Sequence, residues 1–254
     1  MGMQFKKVPA LEKCFNILEL LSKNKNGLGI SEISNALGYN KSTVYNIAYT
    51  LCDLCILEAM PGNKFCLGVQ LYALGKSAGT DSELIQTVHP YLDKINKKLN
   101  LSAFLGILVG KQVVTVDKVD SPVHLKVSSS IGGSTPILAG AVAKVILSKM
   151  SDSRIDEILS KNELVPFTKY SCTDKNEYRK MIEKARMDGY AFSNEEYIEG
   201  IRALAVPLDR YRENIDAAIY VVGLSIQIKD EDIYAFSEIL KRIAFEINTR
   251  MSLT

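Results

Sequence analysis

Long apolar runs, histidine clusters and paired cysteines are scarce in this sequence of 254 residues. No apolar run approaches the ~20 residues that a membrane span requires, and residues 1–7 lack the apolar stretch of a signal peptide. The five cysteines are odd in number and scattered, which favours reduced thiols over a disulfide scaffold. These absences predict a cytoplasmic protein that does not enter a membrane.

What the sequence does contain is typical of a globular chain. Apolar residues make up 47% and charged residues 24%, which suits one large domain or two small ones. Residues 1–80 carry eight lysines against five acidic side chains, whereas the other 174 residues carry 23 basic and 24 acidic side chains. A mildly basic N-terminal segment on a neutral body is compatible with nucleic-acid binding.

Apolar residues at helical spacing predict three helices near the N-terminus. The first runs from Pro9 to Leu21 and the second from Ile30 to Leu37. Gly29 is the expected N-cap of the second helix, with Glu32 three residues later, and Gly38 is expected to end it. The third helix runs from about Lys41 to Leu54, with Asn40 as its expected cap.

A hairpin is predicted to follow the third helix. Residues 56–60 and 64–67 read as strands, and Pro61, Gly62 and Asn63 form a turn between them. Two helices joined by a three-residue turn that contains glycine, and then a hairpin, indicate a winged helix-turn-helix.

The outward side of the third helix is the predicted DNA-reading surface, because an α-helix fits the major groove and short polar side chains reach phosphates and base edges. Lys41, Ser42 and Thr43 suit phosphate contacts, and Asn46 has the geometry to pair with adenine. The predicted DNA-contact residues are Ser31, Asn40, Lys41, Ser42, Thr43, Tyr45, Asn46, Tyr49, Asn63 and Lys64.

Strands and helices alternate in the remainder of the chain. Residues 101–109 and 112–119 predict a hairpin, and residues 123–130 predict a third strand of the same region. Further helices are expected at 137–150, 174–187 and 230–251, and further strands at 203–208 and 215–224. The segment 77–82 is the expected boundary between two domains.

Other chemistries find little support in the residue pattern. Cys52 and Cys55 have a metal-like spacing, but a structural zinc site needs four ligands and only His89, His124 and isolated cysteines remain. The serines at 128–130 lie near His124 without a nucleophile elbow or an orienting acid, and glycine-rich phosphate-binding patterns are missing. We therefore expect no catalytic site, no metal and no cofactor. The alternative is an enzyme or a pure small-molecule sensor whose N-terminal part binds another protein.

Two groups of segments carry a resemblance to a known family. The N-terminal part contains the stretches VPALEKCFNILELL, GISEISNALGYNKSTVYNIAYTL and KFCLGVQLYALG, and the remainder contains IGGSTPILAGAVAKVILSKM and GYAFSNEEYIEGIRALAVPL. The first group resembles the N-terminal domain of the IclR family of bacterial transcriptional regulators, and the second group resembles the effector domain of that family. The resemblance implies an α+β protein with a winged helix-turn-helix domain (1–68), a linker helix and hinge (69–82) and a GAF-like α/β effector-binding domain (83–254).

The resemblance also implies how such a protein works. It would bind a palindromic operator in double-stranded DNA as a homodimer or a dimer of dimers, and a small organic metabolite would change its operator affinity. The effector-pocket residues implied in this way are His124, Val127, Thr135, Ala141, Val142, Ser193, Ala203, Tyr220 and Val222.

Departures from the family pattern refine these expectations. Asn46 stands where the family commonly has arginine, so the operator is expected to differ. Ala141, Val142 and Ala143 stand where glycine is frequent, and their methyl groups narrow the pocket. Ala203 and Val222 replace polar positions that hold a small carboxylate in some members. Because burying an anion without hydrogen-bond donors is costly, we expect an effector larger or less polar than a two-carbon or three-carbon acid.

Overall fold

The computed structural model describes residues 7–80, 82–209 and 215–253. The chain divides into two compact units, one before and one after residue 81. In these ranges no helix is long and apolar enough to cross a membrane. The architecture is α+β, which confirms the predicted fold class.

The first unit is a helix-turn-helix followed by a β-hairpin wing. Its elements are α1 (Pro9–Ser22), β1 (Leu28–Gly29), α2 (Ile30–Leu37), α3 (Lys41–Asp53), β2 (Leu57–Met60), β3 (Lys64–Leu67) and α4 (Val69–Thr80). The three strands are antiparallel in the order β1-β3-β2. Ile17, Ile33, Val44 and Leu57 are among the buried residues that form its core, so the apolar faces predicted for the helices do meet.

The predicted caps of α2 are confirmed, and the one predicted for α3 is only partly correct. The backbone N–H of Gly29 donates to Glu32 Oε2 at 2.7 Å, which satisfies a free donor at the helix start. Asn40 does occupy the N-cap position of α3, but its side chain makes no capping hydrogen bond. The side chain of Asn40 is therefore not committed to the helix.

Gly38 ends α2 with a left-handed backbone, at φ 68°. No atom lies within 4 Å of the position that a Cβ would occupy there, so the cost of a side chain is conformational. We expect Gly38→Ala to lower the free energy of unfolding by about 1 kcal/mol. Gly38→Asn should cost less, because asparagine tolerates this conformation better. Urea unfolding of both variants checks this; an alanine variant as stable as the wild type would contradict it.

The second unit is a six-stranded antiparallel sheet with helices on both faces. Its first half contains α5 (Glu83–Leu99), β4 (Ser102–Val109), β5 (Gln112–Val119), β6 (Ser134–Pro136), α6 (Gly140–Ser148) and α7 (Asp152–Lys161). Its second half contains α8 (Lys175–Asp188), β7 (Ala191–Asn194), β8 (Ile201–Pro207), β9 (Ala217–Leu224), a 3₁₀ turn (Asp230–Asp232) and α9 (Ile233–Met251). The strand order is β6-β5-β4-β9-β8-β7.

Alternating residues of the central strands feed two separate cores. On β9, Ala218 and Tyr220 belong to the core shared with α6, α7 and α8, whereas Ile219 and Val221 belong to the core shared with α5 and α9. This alternation follows from the two-residue period of a strand. Both faces of the sheet are thus covered.

The sequence-based prediction of helices and strands in the second unit was wrong at several places. Residues 123–130 form no strand, and the edge of the sheet is β6 instead. The alanine-rich helix begins at Gly140 and ends at Ser148, not at residues 137 and 150. Helices α5 and α7 and strand β7 were not predicted. Pro90 lies inside α5.

Candidate functional site

The position of α3 is fixed from its buried side. Val44, Ala48 and Leu51 are buried against the core of the first unit. In the turn before α3, the hydroxyl of Ser34 donates to the carbonyl of Tyr39 at 2.6 Å. The amide of Asn16 donates to the hydroxyl of Tyr39 at 2.7 Å. These contacts tie the turn to α1 and α2, so the outward side of α3 is held in place.

The predicted DNA-contact residues lie on α3, at the start of α2 and on the wing. Thr43 and Lys64 are half-buried, and the other eight are exposed. None of the ten is acidic. Among the described residues, the side-chain amide of Asn46 forms no hydrogen bond, and only its backbone carbonyl accepts one, from Thr50 Oγ1 at 2.7 Å. An exposed amide without a partner can pair with a base edge. DNA contact remains a prediction for each of the ten residues.

Two tyrosines of this face also have a packing role. The rings of Tyr45 and Tyr49 lie 4.4 Å apart, and Tyr49 meets the buried Phe65 of β3 edge-on at 5.6 Å. Such edge-to-face pairs of rings contribute stabilisation in addition to that from the apolar surface that they bury. Tyr49 therefore joins α3 to the wing, a contact that the sequence did not predict.

The tip of the wing lies next to the start of α2. Gly29 pairs with Lys64 in the β1–β3 register, and Met60 pairs with Lys64 across the hairpin. Asn63, with φ 56°, forms the left-handed turn before Lys64. The backbone at Ser31, near the start of α2, is therefore close to the hairpin end that carries Asn63 and Lys64.

A cavity of about 310 Å³ opens in the second unit. Eight of the nine predicted pocket residues line it: Val127, Thr135, Ala141, Val142, Ser193, Ala203, Tyr220 and Val222. His124 does not line it and is exposed. It lies in the segment predicted as a strand, which is irregular here, so its side chain is not directed by a sheet. Effector binding by the other eight remains a prediction.

The cavity wall is apolar and hydroxyl-bearing, and no Lys, Arg, His, Asp or Glu of the described residues lines it. The hydroxyls of Thr115 and Tyr220 are hydrogen-bonded at 2.8 Å, and the Tyr220 ring stacks on Phe104 at 5.0 Å between centroids. Burial raises the pKa of the Tyr220 hydroxyl, although the hydrogen bond with Thr115 opposes this increase. Tyr220 is therefore a neutral hydrogen-bonding group at neutral pH.

Sequence reasoning missed several residues of the wall. Ser128 and Ser129 lie on the segment before β6, Tyr197 and Ile198 lie on the loop after β7, and Thr115 lies on β5. Thr115 follows the buried Val113 by two residues, so both side chains face the same side of β5. This two-residue period could have identified Thr115 as a residue of the cavity wall. The two loops gave no periodic signal, because their side chains reach the cavity through tertiary contacts.

The other candidate chemistries gain no support from the geometry. The hydroxyl of Ser128 donates to Asp120 Oδ1 at 2.5 Å and accepts from Lys118 Nζ at 2.9 Å. These contacts with Ser128 and Lys118 lower the pKa of Asp120 and tie the loop to β5. In the described ranges no group of three or more His, Cys, Asp or Glu side chains is arranged to hold a metal ion.

Comparison with known proteins assigns both units. Residues 10–59 match the IclR helix-turn-helix domain, and residues 77–249 match the bacterial transcriptional regulator IclR C-terminal domain. The chain is 30% identical over 221 residues to the HTH-type transcriptional regulator KdgR of Dickeya chrysanthemi, covering 86% of this chain and 70% of that one.

Two solved structures share the fold. An IclR transcriptional regulator of Alicyclobacillus acidocaldarius has a TM-score of 0.86 at 24% identity, covering 96% of this chain and 99% of that one. An IclR homolog of Microbacterium hydrocarbonoxydans complexed with 4-hydroxybenzoate has a TM-score of 0.78 at 22% identity, covering 96% and 100%. The chain belongs to the IclR family: it is a DNA-binding transcriptional regulator with a small-molecule-binding C-terminal domain, and not an enzyme.

Proposed function

We propose that two copies of the chain bind a palindromic operator, each placing the outward side of α3 in the major groove. The observation that carries this proposal is the row of exposed polar side chains on α3, where the side-chain amide of Asn46 has no hydrogen-bond partner among the described residues. One short helix reads only a few base pairs, and a second copy about 34 Å away doubles the contacts. Because its target is DNA, we place the regulator in the cytoplasm.

Exposed apolar side chains of the first unit support pairing through this unit. Leu11 and Phe15 on α1 and Tyr72 and Leu74 on α4 are all more than half exposed. Large apolar side chains that recur on exposed helices are typical of association surfaces. A second copy, in a dimer or a dimer of dimers, is the occupant that a palindromic operator requires.

Selection of bound duplexes from a random pool tests the operator geometry. We expect inverted half-sites with centres about one helical turn, roughly 10 base pairs, apart or a multiple of it. Insertion of about half a turn between them should abolish tight binding, because it rotates one half-site to the opposite face of the DNA. Selection of a single, asymmetric half-site would contradict the proposal that two copies bind the operator together.

For the effector, we propose an aromatic or similarly apolar molecule that carries hydroxyl or single carboxylate groups. The cavity is at the lower end of the usual size of ligand sites. It is lined by Phe104, Tyr197 and Tyr220, and none of the described residues in its wall is cationic. A two-carbon or three-carbon acid would lose the hydration of its carboxylate without gaining an opposite charge, and it has little apolar surface whose burial could offset that loss. The related Microbacterium protein bound to 4-hydroxybenzoate supports this class.

Calorimetry with 4-hydroxybenzoate, pyruvate and glyoxylate on the full chain tests the effector class. We expect 4-hydroxybenzoate to bind at least about tenfold more tightly than either small acid, a difference of about 1.4 kcal/mol. Tight binding of glyoxylate or pyruvate would contradict the proposal. An operator duplex in a second titration shows whether the bound compound changes DNA affinity, as linkage requires.

A further inference from the structure

A buried ion pair lies beside the effector cavity without lining it. Lys144 of α6 and Glu196 of the loop after β7 form a contact of 2.5 Å between Nζ and Oε1, with their side chains only 3% and 11% exposed. Lys144 Nζ also donates to the carbonyl of Phe192 at 3.3 Å. Burying two charges is costly unless they are well paired, so the contact constrains both elements strongly.

Each partner is close in sequence to residues of the cavity wall. Gly140, Ala141 and Val142 line the cavity one turn before Lys144, and Tyr197 and Ile198 line it directly after Glu196. The pair itself lines a neighbouring groove of about 500 Å³. It therefore joins α6 to the loop that carries Tyr197, between the cavity and this groove.

The rest of this loop is held from a different direction. The hydroxyls of Thr168 and Ser171 donate to the carbonyls of Glu195 and Glu196, each at 2.7 Å. The carboxylate of Glu195 accepts from the N–H of Gly200 at 2.8 Å, which closes the loop on itself. None of these bonds reaches α6, so the contact from Glu196 to Lys144 supplies the polar link between the loop and that helix.

We propose that Lys144 and Glu196 are positioning residues that hold Tyr197 and Ile198 against α6 and thereby set the width of the effector cavity. This inference rests on the proposed effector function of the cavity. Loss of either charge leaves the other buried and unpaired, which favours movement of the loop toward the neighbouring groove. The cavity would then accept wider molecules and hold narrow ones less well.

Four variants of the full chain test this role. Lys144→Met and Glu196→Gln each remove one charge, and Lys149→Met is the matched control. Lys149 follows the same helix but pairs with Asp209 in the open, at 46% and 63% exposure. Circular dichroism and operator binding establish that each variant is folded. The double charge swap, Lys144→Glu with Glu196→Lys, tests rescue of the pair.

Hydrogen–deuterium exchange of the ligand-free protein gives a readout independent of any effector. We expect amides 195–201 to exchange at least about tenfold faster in Lys144→Met and Glu196→Gln, with the wild-type rate in Lys149→Met and partial restoration in the charge swap. Unchanged exchange of this segment in both single variants overturns the proposal. Equal acceleration in Lys149→Met also overturns it, because the effect would then be a general loosening of α6.

Calorimetry with 4-hydroxybenzoate and the wider 6-hydroxy-2-naphthoate gives the second readout. We expect the ratio of the two dissociation constants to shift at least about tenfold toward the naphthoate in Lys144→Met and Glu196→Gln, whereas simple destabilisation would weaken both probes alike. An unchanged ratio alongside measurable binding overturns the proposal. If neither probe binds the wild type, the proposed effector class fails, and the exchange experiment still decides the positioning role.

Discussion

Replacement of Ser42 by glutamate is expected to weaken operator binding strongly and to leave the fold intact. Ser42 is the second residue of α3 and is exposed. A carboxylate in the first turn is favourable for the helix itself, because it opposes the helix dipole. On a face that approaches DNA, however, it is brought against phosphates, and such like-charge contacts cost several kcal/mol. We expect a loss of at least about 3 kcal/mol, or roughly a hundredfold in affinity.

The matched control for this variant is Ser153→Glu. Ser153 is the second residue of α7, is exposed, and lies in the second unit, so the substitution makes the same change in charge at the same helical position. Fluorescence anisotropy with a labelled operator should show wild-type affinity for Ser153→Glu. Equal affinity for Ser42→Glu would mean that α3 does not approach DNA.

Replacement of Ala203 by phenylalanine is expected to remove the effector response and to preserve operator binding. Ala203 lies on β8, paired with Ser193 of β7 and Val222 of β9, and all three line the cavity. A benzyl group at this position projects into the space that a ligand would occupy. We expect at least a hundredfold weaker effector binding, about 3 kcal/mol, and an operator affinity that no longer changes with effector.

Ala235→Phe is the control for this substitution, because Ala235 lies on the exposed side of α9. Calorimetry with 4-hydroxybenzoate and anisotropy with operator, each done on both variants, separate the two functions. Retained effector binding in Ala203→Phe would place the ligand elsewhere. Lost operator binding in the absence of effector would show instead that the substitution disturbs the fold.

The first unit was largely predictable from sequence, since its signals are local. Gly29 and Gly38 mark the two ends of α2, and the spacing of Val44, Ala48 and Leu51 shows which side of α3 is buried. Side-chain periodicity and caps act within a few residues, so they are visible without the tertiary fold. Contacts between elements, such as that of Tyr49 with Phe65, were not visible.

The second unit was less predictable because its architecture depends on long-range contacts. Helix α5 was missed because it contains Pro90, and a proline inside a sequence segment usually indicates that a helix does not continue through it. Residues 123–130 have the β-propensity of a strand but form no ladder, and the edge position belongs to the short β6. The predicted cavity residues came from family resemblance, whereas Tyr197 and Ile198 reach the cavity through a loop held by Thr168 and Ser171.

The salt dependence of operator affinity tests most directly whether α3 meets the DNA backbone and bases. Binding is measured by anisotropy from low to physiological salt for the wild type, Lys41→Ala and Asn46→Ala. If Lys41 contacts a phosphate, its loss should reduce the slope of log affinity against log salt by about one. Asn46→Ala should lower affinity by about 1–3 kcal/mol with little change in slope. Wild-type affinity and slope in both variants would contradict the account.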